Sequence, residues 1–462
     1  MKFASAQGRW LVTAMILASG MAFLDGSIVN LALPDIERDL DAGVAGLQWT
    51  VNGYTLTLAS LILVGGSLGD RLGRRRVFIV GVTWFAVASV LCAAAPSIEV
   101  LVAARALQGI GGALLTPGSL AIISSSIDPA DRGKAIGVWS GFSGITTGAG
   151  PLVGGWLVDQ FGWRSVFWLN VPLALAVVVI ALRHVPETKG EQNRLDLGGS
   201  VLTVASLAFM TYGLVEQRWW PTMVGLLLLV AFVVHQWRTP HALVPLNLFA
   251  DRVFTAANIC TFAIYGALSA YGFLLVLQLQ YVSGYSPLEA GLATLPPVIL
   301  MLLFSGRAGA WGARAGPRWP MTLGPFIMAL SMPIFLRIDE DPNFWLEIMG
   351  GGIVFGIGLT MLVAPLTTAV LASAPADQTG IASGINNAVA RTSSLLAVAA
   401  IPPIAGIAGS NFSSPEVFSP GYRTGILICA GMLAFAGILA VSLISKPKRF
   451  DEVVQAPEQD VV

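Results

Sequence analysis

Apolar residues gather along this chain into stretches of about 20, broken by charges or by Pro and Gly turns. At about 1.5 Å of helical rise per residue, such a stretch crosses the ~30 Å hydrocarbon of a bilayer. Stretches of this kind lie near 10–33, 48–69, 77–95, 98–123, 135–158 and 164–182, then near 197–216 and 220–238. Six more lie near 254–281, 288–310, 320–337, 345–371, 380–406 and 423–445. The pattern predicts an all-α polytopic membrane protein with 14 transmembrane helices, grouped as six, two and six. The expected divisions are 1–182, a linker and inserted helix pair over 183–252, 253–450, and a short disordered cytoplasmic tail over 451–462.

Composition agrees with that picture. Hydrophobic residues make up 55% of the chain and charged residues 11%, against roughly a quarter in soluble domains. The basic residues test the span count. Alternate loops, beginning with the N-terminus, hold Lys2, Arg9, Arg71, Arg74, Arg75, Arg76, Arg132 and Lys134. The same side holds Arg183, Lys189, Arg194, Arg238, Arg252, Arg307, Arg314, Arg318, Lys446, Lys448 and Arg449. The other side holds only Arg38, Arg164, Arg218, Arg337 and Arg423. Positive charge stays inside, so both termini are expected in the cytoplasm, and the membrane is expected to be the cytoplasmic (plasma) membrane. Trp10, Trp49, Trp163, Trp219, Trp220, Trp319 and Trp345 fall near span ends, as an interfacial belt requires. Lys2 and Arg9 precede an apolar run too long for a signal peptide, so an uncleaved first span is expected.

Chemistry is sparse. Net charge is zero, which gives no sign of nucleic acid, and Cys92, Cys260 and Cys429 stand singly in apolar runs. His184, His235 and His241 are too dispersed for a metal cluster. No phosphate-binding loop or nucleophile–base pair appears, so neither an enzyme nor ATP-driven transport is expected, and no cofactor is needed. The first span, however, carries Asp25 inside the run Leu24-Asp25-Gly26-Ser27-Ile28-Val29-Asn30 ending at Leu33-Pro34. A carboxylate inside hydrocarbon is costly and usually marks an ion or substrate path. Asp25 lies roughly 13 Å below the Pro34 end of its span, and Arg105 roughly 9 Å below the start of the antiparallel fourth span near Glu99. The two depths allow contact, making Asp25 the expected proton site and Arg105 its charge partner.

Three further patterns stand out. The loop after the second span reads Gly66-Ser67-Leu68-Gly69-Asp70-Arg71-Leu72-Gly73-Arg74, with glycines that permit close backbone approach and an aspartate among guanidinium groups. The fourth span holds Arg105-Ala106-Leu107-Gln108-Gly109. In the fifth, Gly137, Gly141, Gly144, Gly148, Pro151 and Gly155 share one helical face, which ends in the run Gly148-Ala149-Gly150-Pro151-Leu152-Val153-Gly154-Gly155. A small-residue stripe permits close helix packing in lipid, and Pro151 removes a backbone hydrogen bond. Asp70 is expected to latch across the two halves, and the fifth span to form a bundle-to-bundle contact. The candidate cavity residues are Asn30, Tyr54, Gln278, Asn387 and Arg391, with Gln280, Tyr265 and Tyr271 as weaker candidates, whereas Trp139 and Phe142 are expected to pack structurally.

These motifs together resemble the fourteen-span drug:proton antiporters (EmrB/QacA type) of the major facilitator superfamily, over essentially the whole chain. The resemblance implies two six-helix bundles, an inserted helix pair, and alternating access. It also implies export of a hydrophobic or cationic compound, a drug or a natural product, driven by the proton gradient. The expected partners are then a small-molecule substrate, protons and lipid, with the protein monomeric. One departure is Ala313 in the second-half loop, where the repeat favours aspartate. A proton-coupled metabolite symporter and a non-transporting membrane sensor of the same fold remain alternatives.

Overall fold

A computed structural model describes residues 1–190, 196–240, 242–375, 378–408 and 412–444, apart from the side chains of residues 140, 141, 143–145, 147, 148 and 313. The expected tail over 451–462 lies outside the described residues. The first half comprises α1 (Ala6–Leu40), α2 (Val44–Leu72), α3 (Arg74–Ala93), α4 (Ile98–Ser126) and α5 (Pro129–Phe161). A short α6 (Arg164–Trp168) leads into α7 (Asn170–His184). Then come α8 (Leu197–Val215) and α9 (Trp219–Arg238). The second half has α10 (Arg252–Leu277), α11 (Pro287–Ala293), α12 (Leu295–Ala315) and α13 (Arg318–Phe335), followed by α14 (Gly350–Ala372), α15 (Thr379–Ile404) and α16 (Pro415–Leu443). Every stretch marked as a span in the sequence falls on one of these helices or on a broken pair. Eleven helical segments among the described residues are long and apolar enough to cross a membrane; α5, α13 and α15 occupy the remaining three stretches.

Local chemistry sets the helix ends. Ser5 accepts from the Gly8 N–H to cap α1, and Ser286 with Glu289 forms a reciprocal capping box on α11. Gly73, at φ +113°, turns α2 into α3 where a Cβ would lie 2.6 Å from a Glu187 oxygen. Asp196 caps α8 through the Gly199 N–H and also accepts from Gln236, with His235 2.7 Å away, so it ties α8 to the end of α9. Burial works to raise the pKa of Asp196, but these hydrogen bonds outweigh it and hold the carboxyl below its usual range.

Within the first half α1 packs on α5 and α7, while α4 packs between α2 and α3. In the second, α10 packs on α15 and α16, and α13 and α14 lie together. The α8–α9 pair leans through α8 on both α2 and α15. The halves meet along two seams. On one, the buried Gln48 of α2 donates from Nε2 to the carbonyls of Val398 and Ala399 on α15, at 2.7 and 3.2 Å. Those carbonyls need a donor because Pro402 and Pro403, four residues on, have no N–H to offer them.

The second seam joins α1 and α5 to α10 and α11 at the Pro34 end. A Cβ on Gly155 would lie 2.6 Å from the Leu288 Cα, and one on Gly291 would lie 2.4 Å from the Pro151 carbonyl oxygen. A π-helical turn over Gln278–Val282 presents two further contacts. Gln280 donates to the Leu31 carbonyl at 3.1 Å, and the Tyr281 hydroxyl to Glu37 at 2.5 Å. This end is closed. Toward the opposite end, near Asp70, the halves part around a cavity of about 1420 Å³.

Candidate functional site

The cavity runs between α1, α2 and α4 on one side and α15 on the other, with the segment after α9 at its rim. Ser19, Phe23, Tyr54 and Trp139 line the first wall, and Ser383, Asn387 and Arg391 line the facing one. Trp139 donates to the Ser19 hydroxyl at 3.0 Å. At the mouth, Asp70 pairs with Arg74 at 2.8 Å, and Gly66 and Gly69 belong to the same rim. The volume exceeds the roughly 300–1,000 Å³ of ordinary ligand pockets, as befits a cleft open at one end.

Behind the first wall lies a polar cluster sealed from solvent. Asp25 and Arg105 are each 1% exposed. Arg105 Nη1 donates to Asp25 Oδ2 at 2.5 Å and to Gln108 Oε1 at 2.5 Å, while its Nε donates to the Thr50 carbonyl at 3.0 Å. Gln108 Nε2 in turn donates to Asp25 Oδ1 at 2.8 Å and to Ser89 Oγ at 2.8 Å. Asn170 donates to the same Asp25 oxygen at 3.2 Å. Five helices of the first half therefore converge on one ion pair. The Tyr54 ring covers the guanidinium at 4.5 Å, so one side chain forms both cavity wall and lid of the pair.

The structure thus brings Asp25, Arg105 and Gln108 together, and it sets Tyr54, Asn387 and Arg391 on the cavity. Asn30, Gln278 and the weaker candidates Gln280, Tyr265 and Tyr271 do not line it. Gln278 is fully buried inside the second half, donating to the Ile338 carbonyl and to Ser419. The bulk of its helix faces its own bundle, so the amide serves packing. Asn30 bonds back to the Gly26 carbonyl and is absent from the cavity lining, beyond its closed end on α1. Trp139, expected to pack structurally, does pack against the core of the first half, and it lines the cavity as well. Tyr271 is buried against Phe335 and Phe355.

The motif residues divide by role. Gly109 lets α4 meet α2, since a Cβ there would lie 2.2 Å from the Tyr54 carbonyl oxygen. Gly150 and Gly154 face Ser27 and Ile28 of α1, so they pack within the first half, and Gly155 with Pro151 carries the contact between halves. Gly144 and Gly148 lie on α5, but their surroundings are outside the described residues, as are those of Ala313. Asp70 bonds to Arg74 of its own half, Arg71 is exposed, and the Gly190 N–H reaches the Asp70 carbonyl. Sequence reasoning missed Ser89, Asn170 and Gln48. An amide in an otherwise apolar run was the available signal for the last two.

The chain matches the Major Facilitator Superfamily over residues 15–248 and 257–460. It belongs to that superfamily. A multidrug resistance protein of Mycobacterium tuberculosis is 37% identical over 384 residues, covering 80% of this chain and 70% of the relative. A methylenomycin A resistance protein of Streptomyces coelicolor is 31% identical over 462 residues, covering 96% and 94%. The solved structure of an autoinhibited peptide transporter superposes with a TM-score of 0.70 at 15% identity, covering 94% of this chain and 96% of the other. That likeness concerns the fold. As a member of the superfamily the protein is a multi-pass membrane transporter rather than an enzyme.

Proposed function

We propose that this superfamily member is a drug exporter of the fourteen-span drug:proton antiporter type, all fourteen helical stretches crossing the cytoplasmic membrane. Both termini face the cytoplasm, so the cavity is open inward in this state, and a single chain is the working unit. The observation that carries the reading is the enclosed Asp25–Arg105 pair, separated from the cavity by the Tyr54 ring. Resistance and export names among relatives that match most of the chain support the direction of transport.

Coupling follows from the cluster. While ionised, Asp25 holds α1 to α4 through Arg105 and Gln108. Protonation cancels its charge and leaves Arg105 without an anionic partner, which changes how the guanidinium holds Tyr54 and the cavity wall. Cargo and proton then report to one another through a single aromatic ring. The only energy source required is the proton gradient.

The test is Asp25→Asn in proteoliposomes with a pH gradient as the sole driving force. Gradient-driven substrate accumulation should be abolished, while the variant still inserts, purifies as a folded protein and binds substrate. Accumulation equal to wild type would place coupling elsewhere in the chain.

A further inference from the structure

We propose that the cavity selects aromatic substrates bearing an acidic group, a carboxylate or an equally acidic phenol, with Arg391 as the residue that binds the anion. This deepens the export reading and rests on it. Among the described residues lining the cavity only Asp70, Arg74 and Arg391 are charged. The first two neutralise each other at the mouth. Arg391, deeper on α15, has no carboxylate or hydrogen-bonding partner among the described residues; its guanidinium carbon lies 6.0 Å from the centre of the Phe23 ring.

Its neighbours cannot supply the missing charge. Asn387, one turn earlier, donates to the Ser383 carbonyl at 3.1 Å and offers at most an amide oxygen. The α5 stretch 140–148 contains no ionisable residue. Asp25 is already bound by Arg105 behind Tyr54, and that pair is neutral as a unit. Counted over its described residues, the cavity interior therefore carries one net positive charge. In the open state water solvates it. When the halves close around cargo, an unpaired guanidinium in a dry chamber is costly, and an anionic group on the cargo removes that cost. A cationic cargo would instead meet a like charge.

The facing wall gives the rest of the substrate. Phe23, Tyr54 and Trp139 present three aromatic side chains from the first half opposite the guanidinium from the second. A flat aromatic body with an acidic substituent touches both halves at once, so binding favours closure. Of the hydrophobic or cationic cargo that the resemblance implies, the cationic kind does not fit this charge distribution.

The experiment uses the full-length protein in detergent, without a proton gradient, and three matched probes: naphthoate, naphthylmethanol and naphthylmethylamine. Binding is read by tryptophan fluorescence and calorimetry. Wild type should bind naphthoate about tenfold more tightly than the alcohol, the gain expected from a charge-assisted hydrogen bond, and the amine most weakly. Arg391→Gln should erase the preference for naphthoate while alcohol binding changes little. Asn387→Asp places a carboxylate one turn from Arg391 and should erase the preference as well, which decides the matter if Arg391→Gln does not fold. Amine binding equal to or tighter than naphthoate in wild type overturns the proposal, as does a naphthoate preference that survives either folded variant. Because no gradient is present, a naphthoate preference without pH-driven uptake in proteoliposomes would sink the export reading and leave the anion site standing.

Discussion

Asp25 Oδ1 receives hydrogen bonds from Gln108 and Asn170, and Oδ2 receives one from Arg105, so the carboxylate is satisfied only as part of a set. Removing one charged partner from such a set leaves the other buried and uncompensated, at a cost of about 3–5 kcal/mol. Arg105→Ala should therefore lower the thermal unfolding temperature of the detergent-purified protein markedly. Asp25→Asn combined with Arg105→Ala should lower it less than Arg105→Ala alone, because no lone charge remains. An equal or larger loss in the double variant would show that the cluster holds the helices by packing rather than by charge. The pair was legible in the sequence because two charges in hydrocarbon at matching depth have to meet. Asn170 and Gln278 were ambiguous for the same reason as each other. An amide in an apolar run bonds to whatever carbonyl or carboxylate the fold brings near, and for Gln278 that was Ile338, not cargo.

At the scale of helices, the halves are joined by backbone as much as by side chains. Pro402 and Pro403 strip two donors from α15, and Gln48 of α2 replaces both with a single amide. Gln48→Leu is close in size but leaves two buried carbonyls without a donor, at about 1–3 kcal/mol for each unsatisfied group. It should lower thermal stability by several degrees, and an unchanged melting curve would mean another donor takes over. The glycine stripe of α5 makes a different prediction at each position. Gly154→Val drives a side chain into Ile28 of α1, within one half, and should reduce stability and yield. Gly155→Ala puts a Cβ against the Leu288 backbone across the seam, and should instead loosen the closed end in a well-folded protein. Greater labelling of a cysteine placed at Leu288 in the Gly155→Ala background would register that loosening; equal labelling would refute it. Periodicity revealed the stripe, yet not which glycine faces which neighbour. That depends on the rotation of α5 between α1 and α11, which no local pattern encodes.

For the molecule as a whole, one end is closed by Tyr281–Glu37, Gln280–Leu31 and the Gly155–Leu288 approach, while the other is open around the cavity. Alternating access requires a second state in which these contacts part and the Asp70 end closes. The latch expected at Asp70 is not engaged here: the carboxylate is held by Arg74 of its own half, and Gln378 and Gly380 of the second half stand across the mouth. A charge that bridges the halves only in the other state stabilises that state alone, and so shifts the balance toward it. Asp70→Asn should then favour the state seen here. Tyr281→Phe removes a hydrogen bond found only in this state and should shift the balance the opposite way. A cysteine in place of Ser383, on the cavity wall, reports both, against a low background because Cys92, Cys260 and Cys429 are buried. Its rate of modification by a reagent supplied at the Asp70 end should rise with Asp70→Asn and fall with Tyr281→Phe. Changes of the same sign in both variants would mean that the two ends do not trade places, and with that the exchange of one closed end for the other would be lost as the mechanism.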